Sequence, residues 1–517
     1  MVSFVSDPAV RTKIQRMAQR VCWENPQITD RSIDQRQLWI DDGYSDTSEA
    51  FSFLVLGDSG SGEHPGCHPQ RQIAAAMAAH QSTTRFVLHT GDVVYLVGSS
   101  EHYLDNFIKP YREWLVGGHT PDQIPYDQMI FKQPFLPVLG NHDYYDLPLF
   151  YGALSKLASP LKPLLGRYLD LDIGWHGSYQ GDAYARAFLD YLQAVPSSDL
   201  PQHLARHYDA AGPTGLCLRY CPGRFTRLPN RYYSFRYQGI DFFALDSNTF
   251  NEPEPLSDHH SNSNLRQRLA DKYQALLSQQ QHLVEKLTSL DTTVPEQVEQ
   301  ADYLRGKIEQ ITETARDLDK QYQARSAATV DMAQLQWLEE RLVQSCQNQA
   351  VRGRILFFHH PPYVTEASKW HQGQTLAIRR RLRQVLDRVQ SQVRPMPPHS
   401  RLVNLTLSGH AHCFEHLETL ETGYGDAGLH WVVCGGSGYS LRRQRSEGSL
   451  LLEGDRPVAQ SHCFVGKTGY GSQRRQPYSF LRIDVAAGAP LRLTLTPYVA
   501  ERYSHQWKNY KLPPFQI

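Results

Sequence analysis

Phe135-Leu136-Pro137-Val138-Leu139-Gly140-Asn141-His142-Asp143 is the stretch that decides how this chain folds. An apolar run that passes, through a glycine, into polar side chains reads as a buried strand handing the chain to a loop. Four other stretches read the same way. Residues 51–56 lead into Gly57-Asp58-Ser59-Gly60, and 85–89 into Gly91-Asp92-Val93-Val94-Tyr95. Residues 354–358 lead into His359-His360-Pro361, and 402–407 into Gly409-His410-Ala411-His412. In α/β sheets, ligands collect at the carboxyl ends of strands, where loops carry function on a rigid support. Gly57, Gly91, Gly140 and Gly409 stand directly before a donor, where the chain turns sharply and other backbone comes close. A lone Gly-Asp or His-x-His reads as a turn or a surface pair. All five together supply enough oxygen and nitrogen donors for two adjacent metal ions.

In this order the segments resemble the calcineurin-like metallophosphoesterase superfamily, whose pattern is a GDx segment, GDxx, GNH, a lone His after a strand, and GHxH. The resemblance runs from about residue 51 to about residue 438, interrupted by one insertion. Where the superfamily usually has Asp-x-His, this chain has Asp58-x-Gly60, and its second segment ends in Tyr95. Both departures match the purple acid phosphatase branch, in which a tyrosine replaces the missing histidine ligand. The resemblance implies one metal held by Asp58, Asp92, Tyr95 and His412, and a second held by Asp92, Asn141, His359 and His410. Asp92 is then the shared carboxylate, which suits ions at the roughly 3.5–4 Å of two-metal hydrolytic sites. The first ion sees two carboxylates and a phenol, the second one carboxylate, an amide and two imidazoles. That asymmetry favours Fe(III) at the first position and a divalent Zn, Mn or Fe at the second. A phenol with an ordinary pKa of about 10 ligates near neutral pH only to a strong Lewis acid. Without Tyr95 as a ligand, both ions are divalent.

His359 holds the ligand position of the family's His-x-Pro pattern. Adjacent side chains leave an extended segment in opposite directions, so His360 falls to a supporting layer or behind the sheet. The implied reaction is phosphoester hydrolysis by a metal-activated hydroxide, with a small phosphorylated compound as substrate. His142 resembles the family's catalytic histidine, placed to give a hydrogen bond or proton to the leaving oxygen. Asp143 either orients His142 or caps the next turn. His371, in Trp370-His371-Gln372-Gly373, lies near the place of a second substrate-facing histidine and is alternatively an ordinary loop residue. Phosphomonoesters are the leading substrate class and phosphodiesters the alternative. A non-catalytic scaffold is the reading from a different class.

Lysine plus arginine equal aspartate plus glutamate at 53 each, so no global field attracts a polyanion such as nucleic acid. The clusters 379–383 and 441–445 read as solvated faces or as local patches for a phosphorylated substrate. Residues 57–62 lack the Gly-Lys-Ser/Thr of a nucleotide loop. His64 and His68 either approach the metals from the loop after Asp58 or are surface decoration, and His102 and His416 are similar cases. Cys217 and Cys221 have no second pair for a zinc site, and Asn404-Leu405-Thr406 lies inside an apolar strand, a poor glycosylation acceptor. The 8 cysteines are too scattered for a disulfide framework. No apolar leader opens the chain and no run reaches the roughly 20 apolar residues of a membrane span, so a cytoplasmic enzyme is expected.

The organisation expected is an amino-terminal extension over 1–49 with a helix at 11–21, a first catalytic part over 50–248, an inserted hairpin over 249–330, and a second catalytic part over 331–517. Leu269, Tyr273, Leu276, Gln280, Leu283, Leu287 and Leu290 recur at spacings of four and three, as do Leu304, Ile308, Ile311, Ala315, Leu318 and Tyr322. Joined by a short turn with an early proline, they predict an antiparallel coiled-coil hairpin. It is either a tolerated insertion or an arm for self-association or a protein partner. Tyr144, Tyr145, Tyr151, Tyr168 and Tyr179 either line a substrate rim or pack loop on loop. Residues 444–476 are polar and aperiodic and read as a mobile loop. Further strands are expected at 240–246, 429–433, 478–485 and 491–499. The whole is α/β, a four-layer α/β/β/α sandwich of two mixed sheets, an expectation that follows from the resemblance.

Overall fold

The computed structural model describes residues 6–43, 49–62, 67–146, 177–255, 260–290, 295–323, 327–393, 401–470, 473–504 and 506–517. Its larger sheet runs, in spatial order, β13 (Leu450–Glu453), β14 (Arg456–Val465), β11 (Phe414–Thr419), β12 (His430–Cys434), β10 (Leu405–Ser408), β9 (Gly353–Phe357), β8 (Ile240–Ala244), β7 (Tyr233–Tyr237), β1 (Ile33–Ile40), β6 (Gly215–Tyr220) and β5 (Ala210–Gly212). The smaller runs β17 (Gln506–Lys511), β16 (Leu493–Tyr503), β15 (Arg475–Val485), β2 (Phe51–Leu56), β3 (Val87–His89) and β4 (Phe135–Pro137), with β18 (Phe515–Gln516) on β16. The helices are α1 (Val10–Arg20), α2 (Pro26–Thr29), α3 (Pro69–Ala78), α4 (Asp182–Phe188), α5 (Leu200–His207), α6 (His260–Thr288), α7 (Pro295–Gln323), α8 (Met332–Gln347) and α9 (Gly373–Val393).

The period-two rule of a strand builds the layers. In β8, Phe242 faces the core between the sheets, where it meets Phe53 of the other sheet edge-on at 5.6 Å and stacks on Phe235 at 4.7 Å. Its neighbour Phe243 faces the opposite side, against Trp337 of α8. Ile355 and Leu356, and Val432 and Val433, divide in the same way. Residues of α8 and α9 close the outer face of the large sheet, and α3 lies on β15 and β16 of the small one. The order of layers is therefore helix, sheet, sheet, helix. Each fully buried phenylalanine stabilises this core by about 1.5–3 kcal/mol.

Both sheets are mixed, and their parallel portions place the loops. In the small sheet β2, β3 and β4 are parallel, with Leu56 beside His89 and His89 beside Pro137. In the large sheet β8, β9, β10 and β12 are parallel, with Phe357 beside Leu407 and Ser408 beside Val433. The loops leaving these strands meet across the sandwich: Tyr439 N–H donates to Asp58 O at 3.0 Å and Ser437 N–H to Gly57 O at 3.3 Å.

Two regions differ from the sequence reading. The segment before residue 49, read as an extension, supplies α1 and also β1, a strand between β7 and β6 of the large sheet. The stretch 444–476, read as a mobile loop, contains β13 and β14, an antiparallel pair continuing the sheet from β11. Only Leu451, Val458, Ala459 and Ser461 of this pair are buried, so no alternating run of core-facing side chains marked the strands in the sequence. In the chain, α6 and α7 stand between β8 and α8, whereas β8 and β9 are parallel neighbours. The two helices pack on each other through Leu283, Leu304 and Ile311, with Gln280 donating to Thr312 at 2.6 Å.

Candidate dinuclear metal centre

Asp58, Asp92, Tyr95, Asn141, His359, His410 and His412 are delivered by five loops to one buried place, none more than 4% exposed. Glycine permits the approach. A Cβ on Gly140 would fall 2.0 Å from Asp92 Oδ1, and one on Gly91, whose φ is +100°, would fall 2.6 Å from His359 Nδ1.

Three histidines are held alike. Nδ1–H of His359 donates to Thr90 O at 2.8 Å, that of His412 to Ser440 O at 2.9 Å, and that of His142 to Leu96 O at 2.6 Å. A backbone carbonyl at Nδ1 fixes the tautomer that leaves the Nε2 lone pair facing inward, as a metal ligand requires. His359 Nε2 stands 2.9 Å from Asn141 Oδ1 and 3.4 Å from Asp92 Oδ2. His410 is held from the other end: Lys369 Nζ and the Gln374 amide lie 2.9 and 3.0 Å from its Nε2, and its buried Nδ1 has no hydrogen-bond partner.

The Tyr95 hydroxyl lies 2.8 Å from Asp92 Oδ2, 3.1 Å from Asp58 Oδ1 and 3.2 Å from His412 Nε2. A phenol has one proton to give, so acceptors outnumber donors around it. Where His359 Nε2 meets Asn141 Oδ1, a neutral imidazole would set two lone pairs face to face, which only a proton or a cation at Nε2 resolves. A cluster of inward lone pairs with too few protons is the donor set of a cation site, and Asp58, Asp92 and His359 lie close enough together to share one ion. The charges agree. Burial raises the Asp58 carboxyl above its usual range, outweighing His359, the His410 N–H and the Tyr95 hydroxyl, which favour the anion. Burial works in the same sense on Asp92, but His359 and His142 outweigh it and hold Asp92 low. Burial opposes the His359 imidazolium, yet Asp92 raises it to about 9. Burial, then Asp58 and Asp92, keep the Tyr95 phenol protonated far above its ordinary value. Burial and Arg442 bring His412 down to about 3, and burial and Lys369 lower His410, so both are neutral, the ligating form.

No family model matches this chain, and no curated protein matches it. Among solved structures it is similar to the purple acid phosphatase PPD1 from yellow lupin (Lupinus luteus) seeds, at 13% identity and a TM-score of 0.42, over 92% of this chain and 54% of that one. It is similar to GAP50, the anchor in the inner membrane complex of Plasmodium, at 13% identity and 0.34, over 90% of this chain and 88% of that one. It is similar to PhoD at 11% identity and 0.38, over 90% of this chain and 69% of that one. The chain spans about half the length of the lupin protein.

His142 faces the same place, with Nε2 3.6 Å from Glu313 Oε1 and 3.9 Å from Glu309 Oε1. His371 does not join it: its side chain is exposed, beside Trp370, because the turn before α9 sends Lys369 inward instead. His360 is buried and bonded to Ser247 Oγ at 2.8 Å, and it lies close enough to His359 and His410 to share an ion with them. Asp143 neither orients His142 nor caps its own next turn. It accepts the backbone N–H groups of Gly140, Asp92 and Val93 at 2.8, 3.1 and 3.1 Å, locking two of the donor loops together.

Tyr144 and Tyr145 are buried, Tyr179 is 56% exposed, and Tyr151 and Tyr168, like His64, lie outside the described residues. His68 caps α3, and His416 is a strand residue stacked on Phe515. Arg379, Arg381 and Arg383, read as solvated or substrate-facing, are buried and paired with Glu453, Glu254 and Asp426. All eight cysteines are free thiols. Among the described residues, no helix is long and apolar enough to cross a membrane.

Sequence reasoning missed Glu309, Glu313 and Lys369, and held Arg442 only within the cluster 441–445, read as a solvated face or a patch for a phosphorylated substrate. The glutamates sit on α7, on the face away from the apolar stripe, where charge reads as ordinary solvation.

Proposed function

We propose that this chain is a dinuclear metal-dependent phosphoesterase acting on phosphomonoesters. The observation that supports it most is the surplus of inward lone pairs shared by Asp58, Asp92, Tyr95, Asn141, His359 and His412. In this reading Asp58, Asp92, Tyr95 and His412 hold a first ion, Fe(III), and Asp92, Asn141, His359 and His410 hold a second, divalent Zn, Mn or Fe. When bound, the ions supply Lewis acidity: they make water acidic enough to attack phosphorus near neutral pH and draw charge from the phosphoryl oxygens.

The rest is the work of the chain. His142 is the acid for the leaving group. Its Nδ1–H is committed to Leu96 O and its own N–H to Asp92 Oδ1 at 2.9 Å, so the ring is fixed with Nε2 toward the site. Burial opposes its charged form, but Asp92, Glu313 and Glu309 outweigh burial and raise it, keeping the imidazolium available. As the bond from phosphorus to the ester oxygen breaks, that oxygen takes the Nε2 proton and leaves as an alcohol. The burial of every donor excludes bulk water and strengthens these interactions.

Residues 249–330 are read, with this function, as an insertion between two parts of one catalytic unit. A panel of mono- and diesters assayed with defined metals, beside Asn141→Ala, tests the proposal. Monoester turnover that needs metal and is lost in Asn141→Ala supports it. Preference for diesters revises the substrate class, and inert protein of both kinds that still binds a partner supports a scaffold instead.

A further inference from the structure

The helix α7 lies across the candidate centre and meets it through charge. Its apolar residues Leu304, Ile308 and Ile311 are spent on the contact with α6. A second face, recurring every three or four residues, points to the body of the protein. Glu309 Oε2 is 3.2 Å from Arg442 Nη2, and Glu313 Oε2 is 3.0 Å from Lys369 Nζ. Asp317 accepts the N–H groups of Gly373 and Gln374 at 2.8 and 3.0 Å, and Lys320 pairs with Asp7. An interface of this kind can part without exposing an apolar core, unlike one built from packed hydrocarbon.

Beneath it, His142, Lys369 and Arg442 form a group of donors beside the metal-ligand residues, and all three are no more than 5% exposed. The carboxylates satisfy the charge of this group but not its geometry. His142 Nε2, Glu309 Oε1 and Glu313 Oε1 are all buried without a hydrogen-bond partner. The distances of 3.6 and 3.9 Å between them are too long for hydrogen bonds. The same three atoms lie close enough to share a cation. Lys369 and Arg442, already on the other oxygens of the two carboxylates, oppose a further positive charge there. They favour an anion, and a tetrahedral oxyanion with several oxygens can reach all three donors.

We propose that α7 is a built-in cap: Glu309 and Glu313 occupy an oxyanion subsite formed by His142, Lys369 and Arg442, and a phosphorylated substrate reaches the centre by displacing them. The cap rests on the phosphoesterase reading. It makes the helical pair a gate over that site, and it makes Lys369 and Arg442 binding residues for the phosphoryl group.

The test uses the full chain loaded with Mn(II) and inorganic phosphate as the probe. Binding is followed by calorimetry, and α7 by amide hydrogen exchange. Glu309→Gln with Glu313→Gln keeps shape and removes charge, so the fraction of open protein rises and phosphate should bind roughly tenfold tighter or more. Adding Lys369→Met to that background should cost about tenfold. In the unaltered chain, saturating phosphate should lower the protection of α7 amides.

Unchanged phosphate affinity in the double variant, α7 protection that holds or rises with phosphate, or a third Mn(II) per chain that the double variant loses each overturn the cap. Aryl phosphate hydrolysis by the unaltered chain separates the two readings. Turnover with an indifferent α7 removes the cap alone, and absence of both turnover and phosphate binding removes both.

Discussion

Tyr439 lies flat on Tyr95, with ring centroids 3.9 Å and planes 8° apart, while the Tyr95 hydroxyl reaches Asp92 Oδ2 at 2.8 Å. The stack fixes the phenol between Asp92 and Asp58, whose Oδ1 lies 3.1 Å from the same hydroxyl. With Fe(III) supplied, a visible phenolate-to-iron absorption band is expected, and it should vanish in Tyr95→Phe. Absorption spectra of the two proteins at equal iron content check this. A colourless protein holding two divalent ions, indifferent to the substitution, would refute the iron assignment and leave the phosphoesterase one standing.

Gly140→Ala should damage the centre without touching a ligand. The added methyl would fall 2.0 Å from Asp92 Oδ1 and 2.2 Å from Asp92 N, both atoms of the carboxylate's own residue and neither able to yield without moving it. Overpacking of this kind costs about 1–3 kcal/mol. Metal affinity measured by titration calorimetry should fall at least about tenfold, in the range seen when the support of a ligand is lost. Affinity equal to the parent's would show that Asp92 does not bind metal.

The strands that carry the donors were legible because they are buried on both faces. Residues 51–56 and 354–358 contain almost nothing polar, and the first run stops at Gly57 and the second at His359. The sequence spacing of the donors said nothing of distance, which the parallel order of β2, β3 and β4 facing β9 and β10 supplies. What stayed hidden has a common cause. Lys369 finds Glu313 across 56 residues and Arg442 finds Glu309 across 133. A charged residue carries no local sign of such a partner, so Arg379 and Arg383 likewise looked solvated. Glu309 and Glu313 looked like the wet face of an amphipathic helix, because periodicity marks the apolar stripe and is silent about what faces the other way.

Arg231 pairs with two buried carboxylates that are not among the candidate donors. Its guanidinium is 3.3 Å from Asp246 and also bonds Asp331, and Tyr144 donates to Asp246 at 2.7 Å. The group joins β8, the start of α8 and the loop after Asn141, all of it buried. Arg231→Ala leaves Asp246 and Asp331 as uncompensated buried anions, a change that costs about 3–5 kcal/mol. Urea unfolding should show that loss in the midpoint. A change below about 1 kcal/mol would mean that water replaces the guanidinium.

The protein stripped of metal should lose stability as pH rises from about 6.5 to about 9. His359 is the clearest case: burial opposes its charge, but Asp92 raises it from an ordinary 6.5 to about 9 in the folded state. A group raised on folding contributes its stability fully below the unfolded value, and that contribution is lost as pH climbs through the folded one. Asp58 acts in the same sense. Burial raises it above its ordinary 3.8, so the native state keeps a proton that the unfolded chain has already released. Asp92, held low by His359 and His142, has the opposite sign, but its contribution is complete above about pH 4 and constant through this window. Cations bound at the site replace those protons, so the loaded protein should have a flatter profile. Calorimetric melting at pH 6.5, 7.5 and 9, with chelator and with Mn(II), should show a gap between the two forms that widens with pH by a few °C. Parallel profiles would mean that the ions do not neutralise Asp58 and Asp92, and that the inward lone pairs are satisfied by something other than metal.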